Sequence, residues 1–229
     1  MSEPVRVAVV AEGPTEKVVL SAAISSMLAG RSFILKQLQP EESVAFGPVG
    51  TGWVGVYRWC RQAVARSGSL GRDVLFQAYD VLVLQLDADV AGKTYGSGSI
   101  QETVQDLPCE RPCPPPSAST NPLRRALLRW AGETQTPART VLCTPSKSTD
   151  TWVLAALFPN DQAVGEGLEC RANVEGRFAQ QPVAQRIRKR VEDYRERAEQ
   201  MEAAWPRLAE GLSEAERFDA DFRGAVHQR

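Results

Sequence analysis

The chain has 229 residues, 43% of them hydrophobic and 24% charged, with a net charge of -1, the make-up of a folded α/β domain carrying a helical appendage. No apolar run approaches the roughly 20 residues of a membrane-spanning helix. Glu3 precedes any apolar stretch and there is no basic secretory leader, so no membrane association and a cytoplasmic location are expected. The near-zero charge neither favours nor excludes a nucleic-acid partner, because binding takes a local basic patch and not a basic total.

In chain order, residues 5–11 (VRVAVVA) form a short β-branched run that predicts a strand buried on both faces. It stops at Glu12-Gly13-Pro14, and residues 15–28 then read as a helix with Pro14 suited to its start and Thr15 as a cap. Residues 33–49 are mixed, with a strand expected at 43–46, and residues 54–65 read as a helix. Residues 80–86 (DVLVLQL) are the second clear buried strand and run directly into Asp87-Ala88-Asp89. A small-residue loop follows, then a helix-like stretch to about residue 105. Residues 108–122 hold six prolines and predict an extended exposed loop. Helix returns at 121–130, a third strand at 140–144, and a further helix at 149–157. Strands alternating with helices argue for a parallel sheet covered on both faces.

The C-terminal part changes character. Ile187, Val191, Tyr194, Ala198, Met201, Trp205, Leu208 and Leu212 recur in steps of four and three, an apolar stripe on one long charged helix bent or restarted at Pro206. The stripe either docks on the α/β core or forms a homodimer or partner interface. The basic run Arg186–Arg190, with Arg171 and Arg177 upstream, is either a contact for a phosphate backbone or a solvated helix face balanced by the acids that follow. The expected division is residues 1–165 as the catalytic domain and 166–229 as a helical extension.

Five cysteines, an odd count, argue against a disulfide framework. A zinc site from Cys109, Cys113, Cys143 and Cys170 would lack the usual tight ligand pairs. The one histidine, His227, stands two residues from the end, so chemistry that relies on a histidine base loses its usual component. If the chain is an enzyme, carboxylates, lysines or a metal ion do the work.

The acids that remain are well placed for this. In a doubly wound sheet, ligands bind beyond the carboxyl ends of the strands, where Glu12 and the Asp87/Asp89 pair are expected. Three converging carboxylates repel one another unless a cation is present, which favours a hard divalent metal. Gly92-Lys93-Thr94 mimics the end of a phosphate-binding loop, but the position of that pattern's first glycine is Asp87. An EF-hand would need an oxygen ligand at 91 and glutamate at 98, where Ala91 and Gly98 stand.

Glu12-Gly13-Pro14-Thr15-Glu16 resembles the EGxTE signature that opens many TOPRIM domains, and Leu86-Asp87-Ala88-Asp89 resembles their DxD. Such domains occur in topoisomerases, primases, a ribosomal RNA maturase and the overcoming-lysogenization-defect nucleases. The chain is most similar to small stand-alone bacterial TOPRIM-like proteins associated with phage defence. In these an acid stands two residues before a tryptophan, as Asp150 does before Trp152, with aspartate here in place of the more usual glutamate. The likeness covers roughly residues 5–160. It implies a Rossmann-like, mainly parallel sheet flanked by helices, and cleavage of DNA or RNA phosphodiester bonds with Mg²⁺ or Mn²⁺. Glu12 would act as ligand or acid/base, and Asp87 and Asp89 would hold the metal. Asp150 and Glu16 would serve a second ion, and Lys93 or Lys147 would contact phosphate. An ATPase partner protein is a further implication. Two other readings stay open, a non-catalytic metal- or nucleotide-binding module and a metal-dependent phosphatase or nucleotidyl transferase.

Overall fold

The computed structural model describes residues 3–40, 50–101 and 107–227. Four strands, β1 (Val5–Val10), β2 (Phe33–Gln39), β3 (Val81–Gln85) and β4 (Thr140–Cys143), form a wholly parallel sheet in the order β2-β1-β3-β4. Helix α1 (Pro14–Leu28) leads from β1 to β2. Helices α2 (Gly52–Ser67) and α3 (Leu75–Ala78) lie between β2 and β3, and α4 (Ser117–Trp130) between β3 and β4. Beyond β4 come α5 (Asp150–Leu157), α6 (Glu175–Gln180), α7 (Val191–Arg195), α8 (Ala198–Gly211) and α9 (Ser213–His227).

The β-branched runs sit where burial on both faces demands them. Val5, Val7, Val9, Val81 and Val83 face a core shared with α1, α5, α8 and α9, whereas Ala8, Val10, Leu82 and Leu84 face a second core with α2 and α4. The path leaves β1 in one direction over one face and returns past it over the other, which keeps both crossovers of the same hand. The order therefore reverses between β1 and β3, and their carboxyl ends are the switch point where sheets of this kind form a ligand crevice.

Several expectations are corrected. A strand lies at Phe33–Gln39, unrecognised because it is an edge strand mixing Lys36, Gln37 and Gln39 with apolar residues, and Ile34 on it is 56% exposed. The strand expected at 43–46 and the end of the helix expected to 105 fall outside the described residues. The proline-rich segment is not loop throughout, since α4 begins at Ser117 and contains Pro122. Its opening turns on carbonyls of Pro115 and Pro116, so the prolines supply acceptors where their missing N–H groups cost nothing. Thr15 does not cap α1; Gly13 is the N-cap residue and the Thr15 hydroxyl donates to the Glu16 carboxylate at 3.0 Å.

The single C-terminal helix is three. Pro206 lies within α8 without ending it; one break falls at Glu196–Arg197, between α7 and α8, and the other at Leu212, where Glu169 accepts from the Ser213 N–H and hydroxyl and from the Glu214 N–H at 2.7–2.9 Å. Tyr194, Met201, Trp205 and Leu208 are buried in the same core as α1 and α5, so the stripe is consumed within the chain and is not a free dimer face. Trp152 anchors this packing, its ring 5.3 Å from Trp205 and 5.9 Å from Phe218. The cysteines are also corrected: Cys113 and Cys170 form a disulfide, Cys60 and Cys143 are buried thiols and Cys109 is exposed, so the zinc quartet does not assemble. Among the described residues no helix is long and apolar enough to cross a membrane.

Candidate active site at the strand switch point

Glu12 and Asp87 meet at the switch point, and the last residue of β3 joins them. The Gln85 side chain is fully buried; its Oε1 accepts from the Glu12 N–H at 3.0 Å and its Nε2 donates to Asp87 Oδ1 at 2.6 Å. The Asp87 N–H in turn donates to Glu12 Oε1 at 2.8 Å. Glu12 thus holds the chain beyond β3 directly, and Asp87 orients the Gln85 amide that holds the end of β1. The Thr149 N–H adds a bond to Asp87 Oδ1 at 3.2 Å, reaching in from the start of α5. Beyond β3 the ladder continues, with Ala88 and Asp89 N–H groups donating to the carbonyls of Pro145 and Lys147 at 3.0 Å. This holds Asp89 at the mouth of the crevice.

Two further glutamines, on β2, brace the surrounding turns. Gln37 Nε2 donates to the Gly13 carbonyl at 3.2 Å and Gln39 Nε2 to the Gly50 carbonyl at 2.5 Å. The Gly52 N–H, at the first turn of α2, donates to the Glu12 carbonyl at 2.8 Å, and Glu12 Oε2 lies near enough that a Cβ on Gly52 would stand 3.8 Å from it. The positive end of a 16-residue helix is therefore close to the Glu12 carboxylate. Gly13 has a steric reason of its own, because a Cβ there would fall 2.6 Å from Glu16 Oε2, which folds back over the start of α1.

The electrostatics are those of acids held together without enough positive charge. Burial is the main reason that the Glu12 pKa rises to about 7; the Asp87 N–H opposes the rise and the Asp89 charge adds to it. The Asp87 pKa is pushed well above the usual carboxylate range, first by burial and then by Glu12, Glu16, Asp89 and Asp150. Glu16 is raised as well, mainly by burial. Asp89 differs in being exposed, and Lys93 meets it in an ion pair at 3.3 Å. Lys147 has a left-handed backbone (φ 63°) and pairs with Glu110 of the proline-rich segment.

The chain matches no known family model, curated protein or solved structure.

The predicted residues thus separate into two neighbouring groups. Glu12, Asp87 and Asp89 line the crevice, with Lys93 and Lys147 at its rim. Glu16 and Asp150 lie to one side on α1 and α5, where Asp150 Oδ1 accepts the Tyr194 hydroxyl at 2.5 Å. Among the described residues no three acidic, cysteine or histidine side chains converge closely enough to grip an ion. The bonds explain why: Glu12 Oε1 and Asp87 Oδ1 are engaged with the backbone and Gln85, and Asp89 is paired with Lys93. One oxygen of Glu12 and one of Asp87 stay outside those bonds. Hard carboxylate oxygens are the donors a divalent cation takes, and Asp89 would have to leave Lys93 to join Glu12 and Asp87 around one. Sequence reasoning missed Gln85, whose only signal was one polar residue at the end of an otherwise apolar strand.

Proposed function

We propose that the chain is a TOPRIM-like, Mg²⁺- or Mn²⁺-dependent nuclease that cleaves phosphodiester bonds of DNA or RNA, with Glu12, Asp87 and Asp89 holding the ion. The observation that carries this reading is the pair Glu12–Asp87, fixed by Gln85 at the switch point of a parallel sheet, both raised in pKa chiefly by burial, with the Glu12 charge adding to the rise of Asp87 and the Asp89 charge to that of Glu12. A site with that charge deficit takes up cations, and an ion bound there would bind a phosphate oxygen and activate water without a histidine. Lys93 and Lys147 flank the crevice and offer ammonium groups to a substrate phosphate once released from Asp89 and Glu110. A role in phage defence with an ATPase partner is part of the same proposal and rests on the motif resemblance alone.

The test is cleavage of labelled single- and double-stranded DNA and RNA with Mn²⁺, comparing wild type with Asp87→Asn and Glu12→Gln. Wild-type cleavage that falls at least about 100-fold in both variants, the scale of losing a group that acts in the transition state, is expected. Cleavage that survives both substitutions would overturn the assignment.

A further inference from the structure

The motif resemblance implies a second metal ion at Glu16 and Asp150, and the side chains around those acids disagree with it. Asp150 opens α5 and is 2% exposed. Its Oδ1 accepts the Tyr194 hydroxyl from α7. Its Oδ2 is buried and has no hydrogen bond among the described residues, and the Lys189 ammonium stands 3.4 Å from it. Lys189 also reaches Glu175 on α6 at 3.6 Å, and Glu16 is close enough for both Lys189 and Asp150 to act on its charge. Burial alone would lower the Lys189 pKa, but the carboxylates of Asp150, Glu175 and Glu16 raise it instead, so the amine is a permanent cation at neutral pH.

Lys189 is not there by accident of a mobile side chain. The preceding Ile187 is buried in the core beneath α1 and α5. Arg188 then folds onto Asp193, which accepts from both its N–H (2.9 Å) and its guanidinium (3.3 Å). The backbone is thus pinned just before the lysine, and just after it the Arg190 N–H donates to the Arg188 carbonyl at 2.7 Å. A dication at Asp150 would have to displace the ammonium and also compete with the tyrosine hydroxyl for the same carboxylate.

We propose that Lys189 is the resident cation of the Glu16–Asp150 pair. It stands where a second metal ion would otherwise bind, so the chain takes one divalent ion and draws its second positive charge from its own C-terminal extension. The functional consequence rests on the reading of Glu12, Asp87 and Asp89 as a metal centre; the ion pair does not. Of the basic run at 186–190, Lys189 thereby joins the site, turned toward Asp150 with 45% of its side chain still accessible.

Calorimetric titration of the full chain with MnCl₂ tests this. One ion per chain is expected for wild type, one for Asp150→Asn, and two for Lys189→Met, whose emptied position regains a carboxylate pair without a counter-charge. Two ions on wild type, a loss of one ion in Asp150→Asn, or an unchanged count in a Lys189→Met chain with native circular dichroism would each overturn the proposal. Should Lys189→Met fail to fold, the Asp150→Asn count decides alone. No ion on wild type but one on Lys189→Met would uphold the role of Lys189 and refute the Glu12–Asp87–Asp89 centre.

Discussion

At the residue scale the site is a set of acids kept at a cost. The folded-state pKa of Glu12 is about 7 against an ordinary 4.5. Between those values the folded chain holds a proton that the unfolded chain has lost, so stability falls as pH rises through that window and levels off above it. Asp87 shifts in the same direction and extends the loss upward. Without added metal, about 2 kcal/mol of stability should be lost between pH 5 and pH 8 through Glu12. Urea unfolding in EDTA should show Glu12→Gln with a shallower pH dependence than wild type and a higher stability at pH 8. Equal slopes would mean that Glu12 is ionised in the folded chain at neutral pH. The meeting of Glu12 with Asp87 was legible in the sequence because each follows a strand buried on both faces, and neighbouring parallel strands bring such ends side by side. Gln85 and Lys189 were not. A glutamine closing a strand resembles ordinary strand termination, and the acid that Lys189 meets is on an element far from it in the chain.

At the element scale, the strands read most easily were those buried on both faces, β1, β3 and β4, because continuous β-branched sequence has no other comfortable place. The edge strand β2 escaped because half of its residues face water or hold turns, as Gln37 and Gln39 do. The C-terminal helices show the converse. Their heptad-like stripe suggested one helix, but three-and-four spacing registers neither the break at Glu196–Arg197 nor the one at Leu212 that a distant residue imposes. Glu169 makes that break by accepting three hydrogen bonds at the start of α9. Glu169→Ala should leave the buried Glu214 N–H without its acceptor and remove the cap that Ser213 also donates to, at a cost of about 2 kcal/mol. The measurement is the urea midpoint at constant slope, and a change under about 0.5 kcal/mol would mean that α9 finds its start without this cap.

At the scale of the whole molecule, the C-terminal helices share the core on the α1 side of the sheet. Helices α8 and α9 pack on α1 and α5, Trp152 stacks among their aromatic residues, and the Cys113–Cys170 disulfide ties the proline-rich segment to the turn that carries Glu169. An odd cysteine count could not foretell this pairing, because the partners are brought together by tertiary packing alone. The extension thus holds the α5 end of the crevice in place while the sheet holds the other. All of this converges on two carboxylates whose repulsion an incoming cation would relieve. The most direct measurement is the shift in melting temperature caused by Mn²⁺ at pH 8 for wild type, Glu12→Gln and Asp87→Asn. The account predicts a rise of several degrees at saturating Mn²⁺ in wild type and little or none in either variant. An equal rise in all three, or none in wild type, would contradict it.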